Sequence, residues 1–256
     1  MKMVFGTELK KWRAARRLSQ LDLGSQAGVS SRHISFLESG RSKPSKEMVV
    51  HLAEALDIPR SERNRLLNAA GFASRYVAND LSSEAMAPIR SALSWTLDRH
   101  NPYPAMVLGR HWDVIEANAA ALAMFKLMNQ PSDVSMIELL LGDSGVRDCV
   151  KNWGDVSTYL MARFKTESAF LGGDPVFEDA IQRLEPLLPI RRSPSEAGPN
   201  PLVTVDLAIG GLDFSMLSSI AQFGAADDFA LADLKVELFF PADDSTRLFF
   251  ESLTAG

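Results

Sequence analysis

The chain contains one cysteine, Cys149, so no internal disulfide framework is possible, and a lone thiol fits a reducing compartment. No apolar run approaches the length needed to cross a bilayer. The first residues, MKMVFGTELKKWRAARR, interleave charge with apolar side chains instead of forming the apolar core of a secretory signal. Four histidines and one cysteine show no metal-ligand spacing. No phosphate-cradling loop or dinucleotide fingerprint is present. These absences argue against a disulfide-stapled secreted scaffold, a membrane-spanning helix and a metal or nucleotide cofactor. They predict a soluble, cytoplasmic chain that is not an enzyme.

What is present is core-forming material: 46% of the 256 residues are hydrophobic, and the length suggests about two domains. Charge divides the chain. Residues 1–76 hold 14 Lys+Arg against 7 Asp+Glu, and residues 77–256 hold 13 against 25. A basic quarter joined to an acidic remainder suggests a polyanion-binding module attached to a body that avoids polyanions.

Capping residues and apolar period predict five helices in the basic quarter, over 7–17, 20–26, 31–39, 46–56 and 62–70. Ser19, Ser30, Ser45 and Ser61 are the expected N-caps, and Gly28, Gly40 and Gly71 the expected stops. In LSQLDLGSQAGVSSRHISFLESG the apolar positions Leu23, Ala27, Val29, Ile34 and Leu37 fall where two helices crossing through a short turn bury side chains. Gly24 sits where they approach closely, and Gly28 takes the turn, where a positive φ is cheap for glycine. The combination specifies a helix-turn-helix.

Ser19-Gln20, Leu23, Ala27-Gly28-Val29-Ser30, Ile34-Ser35, Glu38 and Gly40 resemble the motif of XRE-type, phage-repressor-like transcriptional regulators, over about residues 6–70. That resemblance implies that the third helix enters the major groove of operator DNA with its N-terminal residues against base edges. Ser31 and Arg32 would stand there, Arg32 pairing with guanine, and His33 would reach a base or a phosphate. Phe36 would pack on a thymine methyl, or else serve as a satellite core or dimer residue. Gln20 resembles the family glutamine that anchors a phosphate and braces the third helix, and Arg41 and Lys43 would sit against the backbone. Arg13 and Glu38 match a structural ion pair of repressor domains. The family more often has alanine at Gly24. His51 reads as structural.

The remainder, divided as a linker and connecting helix over 77–100 and a domain over 101–256, changes period. A turn-prone linker (76–83) leads to a helix over 83–100 interrupted by Pro88. Strands follow over 106–108 and 112–116 around Gly109-Arg110, then a helix over 117–128 and mostly helix from 135 to 188. Asp174-Pro175 makes a helix start, and a loop spans 189–201. Val203, Val205, Leu207 and Ile209 alternate, Gly210-Gly211 makes a hairpin turn, and Leu212, Phe214 and Met216 alternate next. In the last strand Leu234, Val236 and Leu238 read as inward, with Lys235 and Glu237 outward. Asp243-Asp244 reads as the cap of a final helix, and Gly142-Asp143-Ser144-Gly145 is rejected as a protease segment for want of a paired histidine.

The fold class expected is an all-α five-helix domain followed by an α+β, PAS-like domain: an antiparallel five-stranded sheet with helices on one face. Trp112, Leu122, Phe125, Met128, Phe214, Met216 and Leu238 are the candidates to line an enclosed space, the plainer alternative being a solid core. NPYPAMVLGRHWDVIEAN, Asn152-Trp153, Phe223-Gly224 and ELFFPADDST resemble the ligand-binding domain of MmyB-like regulators. That resemblance implies a homodimeric bacterial regulator whose C-terminal pocket takes a fatty-acid-like apolar ligand. The alternative is a C-terminal domain that only dimerises or recruits a protein partner.

Overall fold

The computed structural model describes residues 5–75, 81–143, 145–189, 203–222, 231 and 233–254. They fall into two compact units, one built on residues 5–75 with 165–178 and 231, the other on 81–143, 145–164, 179–189, 203–222 and 233–254.

The first unit carries five helices: α1 (Phe5–Ala15), α2 (Gln20–Gln26), α3 (Ser31–Glu38), α4 (Lys46–Ala55) and α5 (Arg60–Ala69). Ser19 and Asp22 form a reciprocal capping box, so two backbone donors at the start of α2 are satisfied. The hydroxyls of Ser30 and Ser45 accept from the His33 and Met48 amides. The expected Ser61 cap does not form. Helix α5 starts two residues earlier, at Arg60, because Pro59 holds an extended backbone just ahead of it. Helix α1 likewise begins at Phe5, and Arg17 and Asp57 take the left-handed conformation after α1 and α4 that a glycine would accept more cheaply. Leu9, Leu23, Ile34, Leu52 and Leu67 are the centre of one core. Residues 165–178 belong to the same unit: Arg16 donates to the Ala169 and Phe170 carbonyls, and Lys11 to that of Gly173.

The second unit begins with a 3-10 turn at Glu84–Met86, followed by α6 (Ala87–His100), so Pro88 falls in the first turn, where its missing N–H is harmless. Strands β1 (Ala105–Leu108) and β2 (Val114–Ala117) lead to α7 (Ala119–Leu127), α8 (Met136–Leu141), a 3-10 turn at Val146–Cys149, α9 (Trp153–Phe170), whose residues from 165 on count with the first unit, and α10 (Pro175–Leu184), which counts with the second from residue 179. Strands β3 (Val205–Ile209), β4 (Leu212–Gln222) and β5 (Lys235–Pro241) precede α11 (Asp244–Thr254). All five strands pair antiparallel in the order β2-β1-β5-β4-β3. This is the expected fold class: five helices, then a five-stranded antiparallel sheet covered by helices.

Asn118 ties the first hairpin to its surroundings. Its side-chain oxygen accepts from the Ala105 and Ala121 amides, and its amide donates to the Leu97 and Tyr103 carbonyls. Both Gly210 and Gly211 take positive φ in the β3–β4 hairpin, the geometry whose twist matches the strands. Asp243 caps α11 through the Thr246 amide, and Asp174 accepts from the Val176 amide at the start of α10.

Two local expectations fail. Trp112 is not in a strand: it occupies the β1–β2 turn with φ 65°, held by its amide to the Gly109 carbonyl while its own carbonyl accepts from Met136. Lys235 and Glu237 do not point outward. Both are buried, because β5 pairs centrally between β1 and β4 and sets Glu237 beside Met106. Of the expected 76–83 linker only 81–83 lie among the described residues, and of the 189–201 loop only Pro189; Ser144 lies outside them.

Candidate functional site

Helix α3 divides cleanly. Ile34 and Leu37 are fully buried, whereas Arg32 is exposed and Ser31, His33 and Phe36 are half-buried. The Arg32 guanidinium carbon lies 5.2 Å from the Phe36 ring centroid and that of Arg41 lies 5.9 Å from it, so one ring gathers two cations. Arg41 and Lys43, past the Gly40 turn, are exposed beside it. The sequence-predicted residues Ser31, Arg32, His33, Phe36, Arg41 and Lys43 thus belong to one short helix and the loop that follows it.

The other end of α3 is fixed by charge. Arg13 of α1 meets Glu38 with two of its nitrogens, Nε to Oε1 at 2.6 Å and Nη2 to Oε2 at 3.0 Å, and donates with the third to the Leu18 carbonyl. Gln20 Nε2 donates to the same Glu38 Oε2 at 2.8 Å. Burial pushes the Glu38 carboxyl up, but hydrogen bonds from Arg13 and Gln20 and the charges of Arg13 and Lys10 outweigh it, leaving it below the usual carboxylate range. Arg13 is raised by the same hydrogen bond. His51 Nε2 meets the Ala27 carbonyl at 2.7 Å, so α4 pins the turn between α2 and α3.

Glycines seat α3 at both ends. A Cβ on Gly24 would lie 2.7 Å from the Val29 carbonyl oxygen, just before α3, and one on Gly6 would lie 2.3 Å from the Glu38 carbonyl oxygen, at its last residue. Gly24 therefore permits backbone contact that an alanine would force apart, which outweighs the helix propensity it gives up.

The second unit encloses a cavity of about 120 Å³ between the sheet and helices α7 to α9. Of the seven sequence candidates, Trp112, Phe125, Met128 and Met216 line it. Leu122, Phe214 and Leu238 do not. Leu122 is exposed on α7, Phe214 packs into an aromatic cluster with Phe249 and Phe250 of α11, and Leu238 falls on the opposite parity of β5 from the lining residues Glu237 and Phe239.

Sequence reading missed the contribution of α9, whose Val156, Leu160 and Arg163 recur on one face at helical spacing and all line the cavity. An arginine on an otherwise apolar stripe was the available signal. Its guanidinium carbon lies 3.8 Å from the Trp112 ring centroid, and its Nη1 lies 3.6 Å from Glu237 Oε1, both side chains being about nine-tenths buried. The polar remainder of the lining is Tyr159, which is 41% exposed, and Ser218.

Among the described residues no cluster of His, Cys, Asp and Glu is placed to hold a metal ion, and no helix is long and apolar enough to cross a membrane. A family model described as a helix-turn-helix domain matches residues 4–66. A second, described as the MmyB-like transcription regulator ligand binding domain, matches residues 89–253. No curated protein matches the chain.

Proposed function

The chain belongs to the MmyB-like transcription regulators, and on that premise we propose that it is a cytoplasmic, homodimeric, sequence-specific DNA-binding regulator whose C-terminal cavity takes a fatty-acid-like effector. Helix α3 enters the major groove of a two-fold operator. Ser31 and Arg32 meet base edges, His33 a base or phosphate, and Phe36 a thymine methyl while it holds the Arg32 side chain in place. Gln20, Arg41 and Lys43 position the helix on phosphates. Among the described residues, the polar side chains that line the cavity are Arg163, Glu237, Tyr159, Ser218 and the indole of Trp112, and no reaction is assigned to them.

The observation that carries the DNA half is the two-sided α3, buried through Ile34 and Leu37, braced at Glu38, and open at Arg32, Phe36 and Arg41. The cavity carries the effector half. Its five methionines, Met106, Met124, Met128, Met136 and Met216, repack readily around a flexible chain. Effector and DNA then bias one equilibrium reciprocally.

Selection of bound sequences from random duplex DNA, followed by operator titration with and without dodecanoic acid, tests both halves. A single enriched two-fold site whose affinity shifts at least fivefold with dodecanoic acid is the expected result. Recovery of no enriched site sinks the DNA half. An operator affinity unmoved by the acid, with no apolar molecule carried through purification in native mass spectra, sinks the effector half and leaves a domain that only dimerises or recruits.

A further inference from the structure

Nearly every side chain that lines the cavity is apolar, and one wall departs from this. Arg163 and Glu237 sit there with their charged ends some nine-tenths buried and 3.6 Å apart, a separation too long for a direct hydrogen bond. The Arg163 guanidinium carbon lies over the Trp112 ring, 3.8 Å from its centroid, and Trp112 is delivered there by a left-handed backbone that a bulky residue adopts only under constraint. A buried cation and a buried anion are therefore held rigidly, slightly apart, at one edge of an apolar space.

What such a wall recognises follows from charge. A carboxylate brought to it gains attraction from Arg163 and meets comparable repulsion from Glu237, while losing its hydration. An ammonium suffers the converse. A neutral group with an acceptor oxygen and a donor hydrogen gains from both partners: the oxygen accepts from Arg163 and the hydrogen goes to Glu237, two charge-assisted bonds without a third buried charge.

We propose, building on the effector reading of the cavity, that the Arg163–Glu237 pair is its head-group site and selects an apolar chain ending in an uncharged donor-acceptor head, such as a primary carboxamide or a protonated carboxylic acid. A fatty acid then binds with its carboxyl proton in place, shared toward Glu237, and the hydrocarbon tail lies among the methionines.

Calorimetric titration of the full chain at pH 7.5 with octanamide, octanoate and octylammonium tests the assignment. Octanamide is expected to bind at least tenfold more tightly than either ion. In Glu237→Gln the repulsion is gone, and octanoate is expected to gain at least tenfold and overtake octanamide. The ranking in the unaltered protein needs no variant, so a poorly folded Glu237→Gln does not rescue the proposal. Octanoate or octylammonium binding as tightly as octanamide overturns the head-group site while leaving the cavity an effector site. If none of the three binds, nor dodecanoic acid, the effector reading fails and the head-group site falls with it.

Discussion

In the helical unit, Leu9, Leu23, Ile34, Leu52 and Leu67 are shielded from solvent and pack against one another. In the sheet unit, Met106, Trp112, Met216 and Glu237 are buried as well, yet they face a cavity. Burial and packing are thus different properties. At about 24 cal/mol per Å³, 120 Å³ that side chains do not fill forgoes about 3 kcal/mol of packing between protein atoms, a large share of the stability of an ordinary domain. The helical unit spends its core on holding one surface rigid. The sheet unit leaves room for an occupant and lines it with half of the chain's ten methionines.

The sharpest way to break this comparison is to cut both cores. Ile34→Ala should cost about 3–4 kcal/mol, because a packed neighbourhood cannot collapse onto the gap. Met216→Ala should cost only about 1 kcal/mol, since part of its surface already lacks contact partners. Urea unfolding followed by far-ultraviolet circular dichroism reads both, and equal losses would dissolve the distinction.

Next in size is the charged brace of the helical unit. Glu38→Ala leaves Arg13 buried without its carboxylate and should cost about 3 kcal/mol. Because the folded carboxyl lies below its unfolded value of about 4.3, its contribution is complete above that value and is lost as pH falls through the folded one. Glu38→Gln should remove this acid limb from the stability profile measured between pH 6 and pH 2.

Enlarging small residues should give opposite signs. Ala27→Leu overpacks the helical core and should destabilise by about 2 kcal/mol. Ala121→Leu projects into the cavity and should stabilise by about 1 kcal/mol while abolishing octanamide binding. Thermal melts and calorimetry would show it, and destabilisation by both would mean that the sheet unit is already full.

The smallest change in folding belongs to the exposed face. Arg32→Ala should alter stability by less than about 0.5 kcal/mol yet cost about 1–3 kcal/mol at one base position per half-site. Competition binding against single-base operator variants measures that loss.

The helical unit was legible because its signals are local. Caps, turn glycines and the spacing of Leu23, Ile34 and Leu37 lie within a few residues of what they specify, and the Arg13–Glu38 pair came with the family likeness. The misses have physical causes as well. Alternation with Leu234, Val236 and Leu238 puts Lys235 and Glu237 on the outer face of a sheet buried on one side. The identity of β5's neighbours decides its parity, and a shift of one residue exchanges the two faces of a strand. Trp112 reads as the start of a strand after the Gly109-Arg110 turn, and an apolar pattern carries no information about a left-handed backbone at a tryptophan. Arg163 escaped notice because its partner Glu237 is 74 residues away in the chain, and only the folded sheet brings the two together.

Gly6 and Gly24 carry one more implication. Where two backbones meet with no side chain between them, the tilt of the helix does not depend on which side chains it displays. The outward positions of α3 are therefore free to be rewritten, as type on a fixed platen, without changing the angle at which the helix meets its target; a methyl group at either glycine would shift the platen itself.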